Sequence, residues 1–241
     1  MSRSALAGLP AWPILIAASL SIAAPPVWGQ QAYVSRYDLF TGYTFLDSPH
    51  VGLFENGFHL QAGFRPRTWV SLGVDYSVSA GDLTITPDLL LPALQQQLGE
   101  ELGGLAAVGK IPPTYQLVVP SHSRTQTLAA GPQLASHHWR HLTLFVRPSF
   151  GAIHEVATPQ PKDPIATLVT TQLAPEGKKT DWVAFYGFGG GFDVLLSKHF
   201  AIRTQADLVY DHLFSDLLKD GRFTVRFSFG PCFNFGQNIV K

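Results

Sequence analysis

Cysteine and methionine each occur once in the 241 residues, as Cys232 and Met1. A lone thiol excludes an internal disulfide framework and any zinc site built on paired cysteines. Charge is also scarce: Asp, Glu, Lys and Arg make up 14% of the chain, well under the ~25% of an average soluble domain. The 17 acidic residues balance the 17 basic ones, and Lys and Arg form no cluster, so the electrostatic footprint of a nucleic-acid binder is missing. Long uninterrupted apolar runs are lacking too. The one candidate, from Leu9 to Ala24, is broken by Pro10 and Pro13, whereas a spanning helix needs ~20 consecutive apolar residues. What the chain does have is 22 Gly, 17 Phe, 7 Tyr and 5 Trp, too much aromatic surface for a disordered segment.

The N-terminus reads as a secretory signal. Arg3 supplies a short positive region, the broken apolar run follows, and Val27-Trp28-Gly29 places short residues at the −3 and −1 positions of a cleavage site. The expected organisation is a signal peptide over 1–29, a barrel over 30–236 and a short C-terminal tail over 237–241.

Beyond Gly29 the hydrophobic period is two. From Val70 to Ser79, Val70, Leu72, Val74, Tyr76 and Val78 alternate with Ser71, Gly73, Asp75, Ser77 and Ser79. Such alternation is a strand pattern and not a helical stripe. It recurs at Gly57–Arg65 and most plainly at Arg222–Gly236, where Phe223, Val225, Phe227, Phe229, Phe233 and Phe235 share one face. Less regular versions occupy Tyr37–Phe45, Thr125–Ala135, His141–Ile153, Trp182–Leu195 and Phe200–Tyr210. Eight strands are therefore expected.

Their connections alternate in length. Short links fall at Pro66–Thr68, His137–Arg140 and Ser197–His199, and long ones at Leu46–Asn56, Ala80–Arg124, His154–Asp181 and Asp211–Gly221. Short turns on one rim and long loops on the other suit an up-and-down membrane barrel, which must close because lipid cannot satisfy an open sheet edge. Aromatics cluster at both strand ends of the apolar face. Tyr37, Phe64, Trp69, Trp139, Phe200 and Phe235 lie toward the short turns; Phe45, Phe58, Tyr76, Phe150, Trp182, Tyr210 and Phe223 lie toward the long loops. Two such belts favour a membrane barrel over a soluble lipocalin-like one with its apolar face inward.

Arg36-Tyr-Asp-Leu-Phe-Thr-Gly-Tyr-Thr-Phe45 in the first strand, Gly187-Phe-Gly-Gly-Gly-Phe-Asp193, Ala201-Ile-Arg-Thr-Gln-Ala-Asp207 and the Phe-rich last strand together resemble the small OmpA/OmpX-like outer-membrane β-barrel family of Gram-negative bacteria. The resemblance covers residues 33–236 and rests on pattern. It implies an all-β, eight-stranded antiparallel up-and-down transmembrane barrel in the bacterial outer membrane. Its implied partners are outer-membrane lipid, lipopolysaccharide and the barrel-assembly machinery during insertion, with no nucleic acid and no cofactor. Family members usually end on an aromatic residue read by that machinery, whereas this chain continues past Phe235. The resemblance stops at the barrel, so the peptidoglycan-binding domain of OmpA itself is not expected.

No catalytic or metal constellation emerges from the sequence. Asp211-His212 resembles in composition the Asp/His pair of outer-membrane proteases, and Ser121-His122-Ser123 with His154-Glu155 only approaches the motif of lipid A deacylases. These residues, with His137-His138, read as solvated loop or turn groups, since a general base needs a partner at hydrogen-bond reach. Charges on the polar face are more informative. Counting from the short turns sets His59 opposite Asp75, Asp193 opposite Arg203 and Asp207 opposite Arg226, with Asp38 and Arg147 also pointing inward. Opposite charges across a ladder attract, and small barrels are filled by side chains, so these eight residues form an expected plug. The expected function is a structural or surface-interaction role with a plugged polar lumen; a narrow pore, a surface-loop enzyme and a soluble ligand-binding barrel are the alternatives. Leu90, Leu94, Leu98, Leu102 and Leu105 recur at helical spacing in the second long loop and predict a short helix there. The Pro-rich loop that follows, 154–181, predicts extended surface chain, and loops 80–124 and 154–181 are the expected seat of any extracellular partner.

Overall fold

The computed structural model describes residues 30–112 and 114–240, so the signal peptide expected over 1–29 lies outside the described residues. Eight strands follow in order: β1 (Ser35–Ser48), β2 (Leu53–Arg67), β3 (Val70–Ile85), β4 (Val119–Trp139), β5 (Leu142–Pro159), β6 (Lys179–Leu195), β7 (Phe200–Asp211) and β8 (Arg222–Asn238). Each pairs antiparallel with the next and β8 pairs with β1, giving a closed barrel. Closure leaves no strand edge unpaired, as the alternating pattern requires of a sheet with one face in lipid.

Alternation sets the two faces. Leu72, Val74, Leu128, Phe150, Phe188 and Phe229 point outward and are exposed, and Trp69, Trp139 and Phe235 near the short turns are exposed with them. Ser71, Asp75, Ser77, Thr127, Gln205 and Ser228 point inward and are buried. An outside more apolar than the inside inverts the arrangement of a water-soluble protein. Contiguous exposed apolar surface of this kind marks a face that meets lipid or protein.

The strands run further than their apolar stretches. A tilted strand crosses a bilayer in ~9–11 residues, whereas β4 has 21 and β5 has 18. Past the apolar band, outward positions turn polar and exposed at Asp82, His122 and Arg124. The expected loops are shorter for the same reason. Only Pro49–Gly52 links β1 to β2, and the ends of 80–124 and 154–181 belong to strands. The last strand likewise passes position 236: Ser35 pairs with Asn238, and Asn238 Oδ1 accepts from the Val34 amide at 3.0 Å.

Two helices fill the long connections. Helix α1 (Pro92–Ala107) carries the leucine stripe, with Leu98 buried and Leu94 and Leu102 packed beside it; Pro92 occupies its first turn, where a missing N–H costs nothing. Helix α2 (Pro164–Leu173) stands where extended chain was expected. The correction has a local cause: Asp163 caps the helix, its Oδ1 accepting from the amides of Ile165 at 2.9 Å and Ala166 at 2.8 Å, and Pro164 preorganises the first turn. Leu89, Leu90, Leu98, Ala166, Val169, Leu213, Phe214 and Leu218 from the connections pack onto Leu53, Leu83, Val119 and Ala157 at the inner rim. The connections thus form an apolar cap over one end of the barrel.

Candidate functional site in the barrel lumen

Inward charges stack in three tiers along the lumen. Nearest the short turns, Arg203 grips Asp193 through two hydrogen bonds, Nε to Oδ1 at 2.7 Å and Nη2 to Oδ2 at 2.9 Å, and reaches Asp38 Oδ1 at 3.3 Å. Arg65 Nη2 donates to the other Asp38 oxygen at 2.9 Å. The Arg203 guanidinium also lies 4.9 Å from the Phe145 ring centre and 5.7 Å from that of Phe40, favourable cation–π positions. Gly63, paired with Asp38, leaves the space this carboxylate fills; a Cβ there would sit 2.6 Å from Asp38 Oδ2.

The middle tier is a ring of two acids and two arginines. Arg147 donates to Asp207 at 3.0 Å through both Nε and Nη2 and lies 2.9 Å from Asp75. Arg226 bonds Asp207 at 2.9 Å and Asp75 at 3.1 Å. Each carboxylate therefore meets both guanidinium groups, the arrangement that offsets desolvation of buried charge. Gly189 lies opposite Asp207, and a Cβ on it would overlap the Asp207 carboxylate.

Asp193 stands opposite Arg203 and Asp207 opposite Arg226 in the ladders. His59, by contrast, faces Ser77, and Asp75 faces Gln61. The count fails by two because the turn is Thr68-Trp69, later than the expected Pro66–Thr68, and the register shift between Phe64 and Arg67 only partly compensates. His59 still lies 3.5 Å from Asp75 across the diagonal, while its Nδ1 contacts Ser228 Oγ at 2.9 Å.

The top tier, under the cap, was not anticipated. Arg222 Nε contacts the two oxygens of Asp211 at 3.1 and 3.3 Å, and its Nη2 bonds Glu155. Glu55 accepts from Ser79 at 2.6 Å, Ser123 at 2.5 Å and Thr125 at 3.0 Å. Arg65, Glu55, Glu155, Asp211 and Arg222 are all buried. The parity of their strands carried the signal, but Glu55, Glu155 and Asp211 lie in stretches read as loops. Asp211 is thus no solvated loop residue. His137 contacts Gln31 Oε1 at 3.0 Å and Thr143 Oγ1 at 3.1 Å, whereas His122 stays on the outer surface beside Asp82. Among the described residues no cluster of His, Cys, Asp and Glu is arranged to hold a metal ion.

Little room remains between the tiers. A cavity of about 10 Å³ beside Gln61, Gln133, Arg147 and Ser149 has room for about one water. Outside the lumen, Tyr115 ahead of β4 donates to Asp163 Oδ1 at 2.9 Å and ties two cap connections together. Partial burial, and then the Asp163 carboxylate, push the Tyr115 hydroxyl up to about 12. The Ala166 amide, with Tyr115 and the Ile165 amide, holds the Asp163 carboxyl below the usual range.

No protein-family model matches the chain, and no curated protein matches it in sequence. Solved structures do match in shape. Neisserial surface protein A is 7% identical with a TM-score of 0.50, the match covering 83% of this chain and 96% of that one. The attachment invasion locus protein Ail of Yersinia pestis, solved with the heparin analogue sucrose octasulfate, is 12% identical with a TM-score of 0.47, covering 84% and 99%. OprG, an outer membrane protein of Pseudomonas aeruginosa, is 7% identical with a TM-score of 0.47, covering 86% and 99%. At such identities the likeness concerns the fold: this chain has the fold of a small eight-stranded outer-membrane β-barrel.

Proposed function

We propose that this chain is a bacterial outer-membrane β-barrel with a structural or surface-interaction role and a closed lumen. The supporting observation is the pairing of an apolar, aromatic-bordered outer band with an interior filled by mutually bonded charges. The band takes outer-membrane lipid and lipopolysaccharide as its surroundings, and insertion calls on the barrel-assembly machinery. Contacts with an extracellular partner fall to connections 80–124 and 154–181, which are held on a rigid scaffold where binding residues concentrate. There α1 displays Gln96, Gln97, Glu100 and Glu101, each Gln bonded to the Glu one turn on.

The lumen network favours a plug over the narrow pore. Planar-bilayer recordings of the inserted protein test this. Current at the level of the bare membrane is expected, and a steady large conductance would replace the plug with a pore.

A further inference from the structure

The two lower tiers are balanced, but the top one holds Glu55, Glu155 and Asp211 against Arg222. Hydroxyls satisfy Glu55, and Asp211 shares the Arg222 Nε. Glu155 reaches Arg222 through Oε2, while its Oε1 is buried with no hydrogen-bond partner among the described residues. Leaving such an oxygen unmatched carries the full desolvation cost of the group. A second carboxylate is near: Thr125, paired with Glu155 across the ladder, is one of the donors to Glu55.

Glu155 also lines a cavity of about 60 Å³ between the barrel rim and the cap. The wall is otherwise mostly apolar, formed by Leu83, Ala157, Leu173, Phe214 and Leu218 among others. One water needs ~10–15 Å³ on this measure, so the space admits a short hydrocarbon chain. Two cations line it and both are engaged: Lys179 is held by Asp216 from the β7–β8 connection, and Arg222 by Glu155 and Asp211.

We infer that this cavity binds a small primary alkylammonium ion, its chain against Leu83, Ala157, Leu173 and Leu218 and its ammonium donating to Glu155 Oε1. The ammonium supplies both the missing donor and positive charge to the acid-rich tier. A carboxylate head would add another negative charge, and an alcohol could donate without balancing charge. This site extends beyond the structural or surface role, because it lies under the cap and uses none of its outer face.

The test is methyl NMR of the protein in lipid nanodiscs, titrated separately with n-butylammonium, n-butanol, n-butyrate and ammonium. Saturable shifts of the Leu83, Ala157 and Leu218 methyls are expected with butylammonium, roughly tenfold tighter than with butanol. Butyrate and ammonium should leave these methyls in place. Glu155→Gln should erase the preference for butylammonium over butanol. Ala157→Leu, which fills the space and leaves every charge, should abolish binding of both. No saturable response to butylammonium, equal binding of butyrate, or unchanged butylammonium affinity in either variant overturns the inference. So does ammonium alone shifting the same methyls, which would mark a bare cation site.

Discussion

At the scale of single residues, position on the outer or inner face decides the consequence of a charge. Val74 is 55% exposed in the middle of the apolar band, and His122 lies on the same side of the wall beyond it. Val74→Arg should cost ~2–4 kcal/mol on refolding into lipid vesicles, the cost of arginine facing lipid near the midplane. His122→Arg should be near neutral, and equal costs would mean that the band does not meet lipid. Inside the barrel the reverse holds, since a charge there is tolerated where opposite charges or hydrogen-bond donors meet it. Asp207→Ala leaves Arg147 and Arg226 sharing Asp75 and should cost ~3–5 kcal/mol, the range for breaking a buried pair. Removing Arg226 as well should recover part of that loss. Urea unfolding of the three proteins in vesicles measures the coupling, and an additive double variant would show that the ring is not a unit.

At the scale of elements, α2 depends on a cap that titrates. Asp163 accepts from the Ala166 and Ile165 amides, and these bonds favour its ionised form. Its carboxyl is therefore depressed on folding, so the contribution is fully present above the unfolded value of ~3.9 and is lost as pH falls through the lower folded value. Hydrogen exchange of the α2 amides should accelerate locally in acid relative to the barrel strands, after correction for intrinsic rates. Asp163→Ala should show that faster exchange already at neutral pH, at a cost of ~0.5–2 kcal/mol, the range for losing a helix cap. Unchanged α2 protection in the variant would remove the cap from the account. This helix also marks where sequence reading fell short. Its prolines suggested extended chain, yet Pro164 sits at a first turn, the helical position that tolerates proline. The strands were legible wherever outward positions were apolar, as at Val70–Val78. They became illegible once β3–β6 left the apolar band, because outward Arg124 and His122 and inward Ser123 and Ser121 erase the alternation. Glu155 was lost for that reason and Glu55 because inward Leu53 and outward Asn56 beside it break the pattern of β2, while Asp193 and Arg203, inside a clear hairpin, could be paired by counting. Counting failed for His59 because the turn falls at Thr68-Trp69, later than expected, and the register shift beside it only partly compensates.

At the scale of the whole molecule, the barrel has an apolar outside, a charged and filled inside, and an apolar cap over the lumen. Closed pairing of all eight strands permits this inversion, since no backbone edge faces lipid. The most direct test is a nitroxide scan of β3, one labelled cysteine at a time from Val70 to Thr84, in lipid vesicles. Accessibility to oxygen, which concentrates in lipid, is compared with accessibility to a water-soluble nickel complex; Cys232 is fully buried and leaves the background clear. Labels at Leu72, Val74 and Tyr76 should meet oxygen and not nickel, those at Asp82 and Thr84 should meet nickel, and those at Ser71, Asp75 and Ser77 should be shielded from both. Nickel reaching the outward positions would contradict insertion in lipid, and nickel reaching the inward ones would contradict the closed lumen.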